Sequence, residues 1–370
     1  MDYQYYKVYA AIAVGVLFFI FVFVVLMYRY GHAVKMIKDK NLEVKLNTKI
    51  SSVNPAGGCG PNGLCRLRDY YIMGSYNSCI EGPYEGGAVS IAYLKNVIAT
   101  GYRFLDFEIY SSVTDEPIVS CSTHVTDCGT DATTFFSIPF TDVMETIDTY
   151  AFTNSGCQNF KDPLIVNLRI KTCNVNIIQK LAGIFAQHSS RMLPPPYSFN
   201  ANNHNFGDTT LDKLQNKICL FVDSSSVDYS SNVAFMEYVN SSTITGFLKE
   251  MTKTSFKNIP SLNDLKEYNK RNMTVILPDY KDPTNTLAAA YHEGGCQIVA
   301  MKDAANYSRD TYLKKNFDFF SGQYGSAFVL KPEALRDKPE VIDAPVKQVQ
   351  ANSYASRDLD TGVAGITLKI

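Results

Sequence analysis

The chain has 370 residues, enough for one large domain or two modest ones, and at 46% hydrophobic and 19% charged it can bury a sizeable core. Lys+Arg 35 against Asp+Glu 36 leaves a net charge of −1, so no global field recruits nucleic acid. The nine cysteines form no dense framework, and their odd number leaves at least one free or intermolecular thiol.

A fully soluble protein is excluded by the N-terminus. Val8 to Met27, running through Gly15 and Phe19, holds 20 residues without a charge. As helix it measures about 30 Å, the thickness of a bilayer core. Tyr3, Tyr5, Tyr6 and Tyr9 crowd one end and Tyr28 and Tyr30 the other, where amphipathic rings suit the headgroup level. The run is too long for a cleaved signal peptide, its leading segment carries only Lys7, and no small-x-small site follows. We therefore expect a retained single-pass anchor over residues 1–30. Asp2 and Lys7 cancel before the span, whereas Arg29, Lys35, Lys38 and Lys40 follow it against Asp39 alone. That asymmetry places the C-terminal bulk on the cytoplasmic side, and a reducing compartment suits an odd number of cysteines. The sequons at Asn240, Asn272 and Asn306 argue weakly for the other side.

Residues 31–65 are mostly polar, mixed in charge and read as a stalk. Beyond it short apolar runs alternate with amphipathic stretches. Strands are expected at Tyr70–Met73, Phe104–Ile109, Ile118–Ser120, Leu164–Leu168, Ile218–Val222, Thr274–Leu277, Gln297–Ala300 and Ala327–Leu330. Helices are expected at Ala88–Ala99, Phe140–Tyr150, Val175–Gln187, Val233–Met251 and Ser261–Lys270. Strands alternating with helices predict a parallel sheet. Eight strands over residues 66–337 suit one (β/α)8 TIM barrel, and no Gly-rich phosphate loop after the first strand supports an open doubly wound sheet. Leu193-Pro-Pro-Pro-Tyr197 and the Asn/His-rich Asn200–Asn205 form a surface loop. The tail, 338–370, is polar and patternless, and is expected to wrap a neighbour or stay loose.

Specific strings then meet the barrel reading. Asp69-Tyr-Tyr-Ile-Met-Gly-Ser-Tyr-Asn77, Gly101-Tyr-Arg-Phe-Leu-Asp-Phe-Glu108, Pro117-Ile-Val-Ser-Cys121 and Asp162-Pro-Leu-Ile-Val-Asn-Leu-Arg169 resemble the early strands of phosphoinositide-specific phospholipase C. Gly294-Gly-Cys-Gln-Ile-Val-Ala-Met301 and Phe328-Val-Leu-Lys-Pro-Glu-Ala-Leu-Arg-Asp337 resemble its closing strands. The resemblance spans Arg66–Asp337 in the right order and implies a phospholipase C-like barrel behind one transmembrane helix.

It also implies a damaged site. The family ends its first and third strands with histidines, acting as general base and acid; here those positions read Tyr76 and Cys121. A phenol with pKa near ~10 is a poor base at neutral pH, and nothing adjacent in sequence lowers the pKa of the thiol. His124 is the histidine nearest this rim, read as a loop residue. The family's calcium ligands correspond to Asn77, Asp106, Glu108 and, fourth, Arg169, which cannot ligate a cation. Arg169 is expected to pair with Asp106 or Glu108 and replace the metal, so no cofactor is expected. Headgroup-binding positions fall on Phe221, Asp223, Val275 and Leu277, which supply no cation. Cys59 and Cys65 are read as a disulfide or two plain thiols.

The resemblance thus implies a membrane-anchored pseudoenzyme acting as scaffold, bound to the bilayer by one helix and to a protein partner by the barrel surface or the tail. It is similar to barrels encoded by large DNA viruses, where such a protein would link an internal membrane to the capsid as a minor component of the virion. The alternatives are an active metal-independent phosphoric diester hydrolase using His124 and Arg169, or a headgroup-binding module.

Overall fold

The computed structural model describes residues 3–40, 50–54, 65–82, 87–122, 136–201, 204–223, 228–306, 308–337, 358–360 and 362–369. The uncharged run lies in helix α1 (Tyr3–Lys40), 38 residues long, or about 57 Å. Within it Ala11–Arg29 is long and apolar enough to cross a membrane, and none of that span is buried. The helix runs on past Tyr30, so the first ten residues of the expected stalk are helical. Farther along that segment, residues 50–54 are fastened to the barrel. Ser51 N donates to Gly325 O at 2.9 Å and Val53 N to Asp162 Oδ1 at 2.9 Å. Ile50 is buried against Gly101, where an added Cβ would meet the Ile50 side chain at 3.0 Å and φ is +100°.

In chain order the main sheet contains β1 (Tyr70–Ser75), β2 (Phe104–Ser111), β3 (Pro117–Ser120), β4 (Leu164–Ile170), β5 (Ile218–Asp223), β6 (Val239–Ser242), β7 (Leu248–Thr252), β8 (Met273–Leu277), β9 (Ile298–Met301) and β10 (Phe328–Leu330). Strands β7-β8-β9-β1-β2-β4-β5-β6 are neighbours in that order, and every pairing along this path is parallel. No ladder joins β6 to β7 among the described residues, so the barrel is nearly closed rather than sealed. β1, β4, β8 and β9 are buried from end to end, because parallel barrel strands face packed side chains inside and helices outside. The outer helices include α2 (Ile91–Thr100), α3 (Phe140–Tyr150), α4 (Asn176–Gln187), α5 (Leu262–Arg271), α6 (Ala288–Glu293) and α7 (Thr311–Phe317). A π-helical stretch, Asp318–Tyr324, continues α7.

The predicted count of eight strands holds, but two members differ. β3 pairs antiparallel with β2, and β10 antiparallel with β1, so both flank the barrel instead of forming its wall. Their places go to β6 and β7, which lie in the stretch expected to be one helix, Val233–Met251; only Val233–Met236 is helical there. The sequences VNSS and LKEMT carry no strand-like apolar run. Tertiary bonding decides instead: Asn240 Oδ1 accepts from Leu220 N at 2.8 Å and its amide donates to Tyr197 O at 3.2 Å. The expected helix at Ala88–Ala99 begins later, at Ile91, after Ser90 caps it by accepting from Tyr93 N.

Residues Asp337–Ile370 form a separate unit. The tail is not patternless, since Asp358–Asp360 pairs antiparallel with Thr367–Lys369. Gly362 and Gly365, both at positive φ, lie between the two strands.

Cys65 and Cys173 are each in a disulfide, while Cys79, Cys121, Cys157, Cys219 and Cys296 are free and buried. Cys59 lies outside the described residues.

Candidate functional site

Alternation along β2 turns Asp106 and Glu108 to the same face of the strand, two residues apart. On β4 the same alternation aligns Asn167 and Arg169. The ladder sets Asp106 beside Asn167 and Glu108 beside Arg169. All four are buried, and Asn77, just past the end of β1 at φ 44°, folds over them.

Arg169 organises this cluster. Its Nε donates to Asp106 Oδ1 at 2.9 Å, and Nη2 donates to Asp106 Oδ2 at 2.6 Å and to Asn77 Oδ1 at 2.9 Å. Nη1 donates to Glu108 Oε1 at 2.9 Å and to the Tyr280 hydroxyl at 3.0 Å. A guanidinium has five N–H donors; these five contacts occupy them, and a longer sixth runs from Nη1 to the Tyr76 hydroxyl at 3.5 Å. The Tyr76 ring stacks beneath, its centroid 4.6 Å from the guanidinium carbon. Arg169, Asp106 and Glu108 side chains are all 0% exposed. Burial works against the charge on Arg169, but Asp106, Tyr76, Tyr280 and Glu108 outweigh it and hold the guanidinium well above its ordinary pKa.

The remaining carboxylate valences are also filled. Asn167 Nδ2 donates to Asp106 Oδ1 at 2.9 Å, and Asn77 N donates to Asp106 Oδ2 at 3.1 Å. Glu108 Oε2 accepts from the Tyr110 hydroxyl at 2.7 Å and from Ser122 N at 3.1 Å. The predicted pairing of Arg169 with Asp106 or Glu108 is met with both acids at once.

The two positions that resemble histidine sites lie against this cluster. Burial pushes the Tyr76 phenol well above 10, with Arg169 opposing and Glu108 adding to the rise. Burial likewise pushes the Cys121 thiol up, reinforced by Glu108. Neither group ionises near neutral pH, so neither is poised as a general base. His124 lies outside the described residues. Phe221 is buried and meets Phe206 edge to face at 5.9 Å, Asp223 accepts from Thr243 at 3.1 Å, and Val275 and Leu277 are buried.

Sequence reasoning missed several members of this site. Asn167 was within reach, because it stands two residues before Arg169 on the same strand face. Tyr280 belongs to the loop after β8, and no local pattern announces that its hydroxyl caps Arg169. Glu250 on β7 was hidden inside the expected helix. Burial, then Asp223, raises its pKa from 4.5 to about 8, so it keeps its proton at neutral pH. Lys171 stands beside the cap, its Nζ 5.2 Å from the Tyr280 ring centroid.

This donor set does not fit the calcium ion that the family resemblance implies. Calcium requires about six to eight oxygen ligands, and here Asn77 Oδ1, both oxygens of Asp106 and Glu108 Oε1 already accept from Arg169. No group of three or more His, Cys, Asp or Glu residues suited to a metal occurs among the described residues.

Comparison with known proteins gives the class. The pattern of the phosphatidylinositol-specific phospholipase C X domain matches residues 65–223. PLC21 of L. pealei superimposes with a TM-score of 0.62 at 21% identity, over 74% of this chain and 38% of that one. PLC21 of S. officinalis gives 0.59 at 19% identity, over 80% of this chain and 39% of that one. This chain therefore spans less than two-fifths of either relative's length. No curated protein sequence matches it. The chain folds as a phospholipase C-like barrel, and residues 65–223 match the X-domain pattern.

Proposed function

We propose that this barrel is a membrane-anchored pseudoenzyme, a scaffold held to a bilayer by Val8–Met27 and engaging a protein partner through the barrel surface or the tail. In the form that the sequence resemblance implies, it joins a virion's internal membrane to the capsid. One observation carries the reading: all five Arg169 donors are spent on Asp106, Glu108, Asn77 and Tyr280, where the family's chemistry calls for a metal. Two further features support it. The Tyr76 and Cys121 protons are held by burial, and Phe221, Val275 and Leu277 give an inositol phosphate no cationic grip.

The test is turnover. Full-length chain in vesicles of phosphatidylinositol and its bisphosphate is expected to release no inositol phosphate, with or without calcium. Release that disappears in His124→Ala would overturn the proposal in favour of a metal-independent hydrolase. Tight inositol phosphate binding without release would favour the headgroup module. Alkaline carbonate is expected to leave the chain in the membrane pellet and to extract a chain lacking residues 1–40.

The basic flank supports a cytoplasmic barrel, whereas bonded Cys65 and Cys173 favour an oxidising side. Glycan transfer reads this out at Asn272 and Asn306, because Asn240 is buried with its amide bonded to Tyr197 O. No glycan is expected, and a glycan at Asn272 or Asn306 would reverse the orientation.

A further inference from the structure

Residues 50–54 form a strap beneath the start of β2 and β4, at the end of the barrel opposite the Arg169 cluster. Ile50 is buried against Gly101, just before β2. Ser51 donates to Gly325 O from N at 2.9 Å and from Oγ at 3.1 Å. Ser52 Oγ accepts from Lys161 N at 3.3 Å, and Val53 N donates to Asp162 Oδ1 at 2.9 Å. The chain reaches this strap from α1 through residues 41–49 alone. While the strap is closed, membrane helix and barrel are therefore joined by at most about 35 Å of chain.

The carboxyl that holds Val53 is 0% exposed, and its Oδ2 is buried without a hydrogen-bond partner. Arg103 is also buried. Its Nη1 donates to Ala151 O at 2.9 Å, Nη2 donates to Asn159 Oδ1 at 3.0 Å and to Cys157 Sγ at 2.9 Å, and Nε has no partner. It therefore attracts the Asp162 carboxylate without bonding it. Burial raises the pKa of Asp162 from 3.8 to about 6, against the opposing pull of Arg103 and the Val53 amide. Among the other ionisable groups nearby, burial pushes the Cys157 thiol above its ordinary value. Lys161 lies over the Phe160 ring at 5.8 Å, and Lys217 Nζ donates to Ser190 O at 2.8 Å. The strap itself carries no ionisable side chain.

An ionised carboxyl with one bare oxygen is costly in a dry place, and a neutral one far less so. Lifting the strap admits water to Asp162 and removes that cost. Closure of the strap and uptake of a proton are therefore linked. We propose that residues 50–54 are a pH-sensitive clasp, closing tightly on the barrel when Asp162 is protonated and loosening when it ionises, which lengthens the tether to the membrane helix. The stability that the proton lends to the closed clasp is fully present below pH 3.8 and is lost as pH rises through about 6. The clasp and the Arg169 cluster lie at opposite ends of β4, so failure of this inference would leave the pseudoenzyme reading untouched.

Hydrogen exchange read by mass spectrometry, on full-length chain in nanodiscs at about pH 5 and about pH 8, tests this. Each rate is divided by its intrinsic value at that pH, so that only opening remains. Strap amides are expected to be about tenfold more protected at the lower pH, with a midpoint near 6. In Asp162→Asn, whose Oδ1 still accepts from Val53, strap protection is expected to be equal at the two pH values. Wild-type protection that does not fall as pH rises, or a fall retained in Asp162→Asn, would overturn the inference. Amides of β4 are expected to exchange more slowly than the strap at both pH values. Strap and β4 exchanging together in wild type would mean global unfolding and would also overturn it, which keeps the test decisive if Asp162→Asn does not fold.

Discussion

The Arg169 cluster and the surroundings of Asn316, on the last turn of α7, are opposites. In the first, charges meet in a closely bonded volume: five guanidinium donors, two carboxylates, two carboxamides and a tyrosine cap close on one another. In the second, a carboxamide of the same chemical kind as Asn77 is buried with both ends unbonded. The place where the chemistry of the resembled family calls for a ligand is saturated by the protein itself, whereas the carboxamide of Asn316 is left unbonded. A buried polar group bonded within the fold supports the fold, and one left unbonded costs it stability.

The largest way to break this contrast is to remove the guanidinium. Arg169→Met should cost on the order of 3–5 kcal/mol, because two buried carboxylates are left without a counter-charge. Urea unfolding measures this, and a loss below about 1 kcal/mol would mean that the cluster carries no structural weight.

The next effect is a pH dependence at Glu250. Its pKa is about 8 in the folded state against 4.5 ordinarily, so the folded barrel binds that proton more tightly than the unfolded chain. The stability linked to this group is fully present below 4.5 and is lost as pH rises through 8. Glu250→Gln should therefore match wild type near the lower end of that range and exceed it above the upper end. Allowing for partial exposure of the side chain, the gain is about 2 kcal/mol. A difference that does not change with pH would show that Glu250 feels neither burial nor Asp223.

Tyr280→Phe sharpens the comparison from the other side. It removes one acceptor from Arg169 and leaves the ring, so about 1 kcal/mol should be lost. The smallest effect reverses sign at α7, where Asn316→Leu should gain about 1 kcal/mol by removing an unbonded amide. If both substitutions destabilise equally, the two regions do not differ as described.

Much of the cluster was legible in the sequence, for a definite reason. Strings such as Gly101–Glu108 and Asp162–Arg169 fix strand register, and side chains two apart then share a face. Asn77, Asp106, Glu108 and Arg169 came from the resemblance of such strings to the phospholipase C family, and alternation then puts Asp106 and Glu108 on one face. Tyr280 did not, because a loop residue's position depends on where the chain returns after β8. β6 and β7 were missed because Val-Asn-Ser-Ser and Leu-Lys-Glu-Met-Thr are held as strands by neighbours distant in sequence. The pairing of β6 with β5 and of β7 with β8 supplies what their own residues lack. β3 and β10 were misplaced for the complementary reason: Ile118–Ser120 and Ala327–Leu330 are largely apolar and mostly buried, but composition does not say whether a strand runs parallel or antiparallel. The unbonded carboxamide left no sequence signal, since Asn316 differs from any other helix asparagine only in what fails to bond it.

The most direct test of the central claim, that a guanidinium stands where a cation would, is thermal unfolding with calcium and with chelator. Wild type should unfold at the same temperature in both, whereas Arg169→Glu should unfold well below it in chelator and recover part of the loss on adding calcium. A calcium-dependent rise in the wild-type unfolding temperature that disappears in Asp106→Ala would contradict the account, because it would mean that Asp106 still holds a metal.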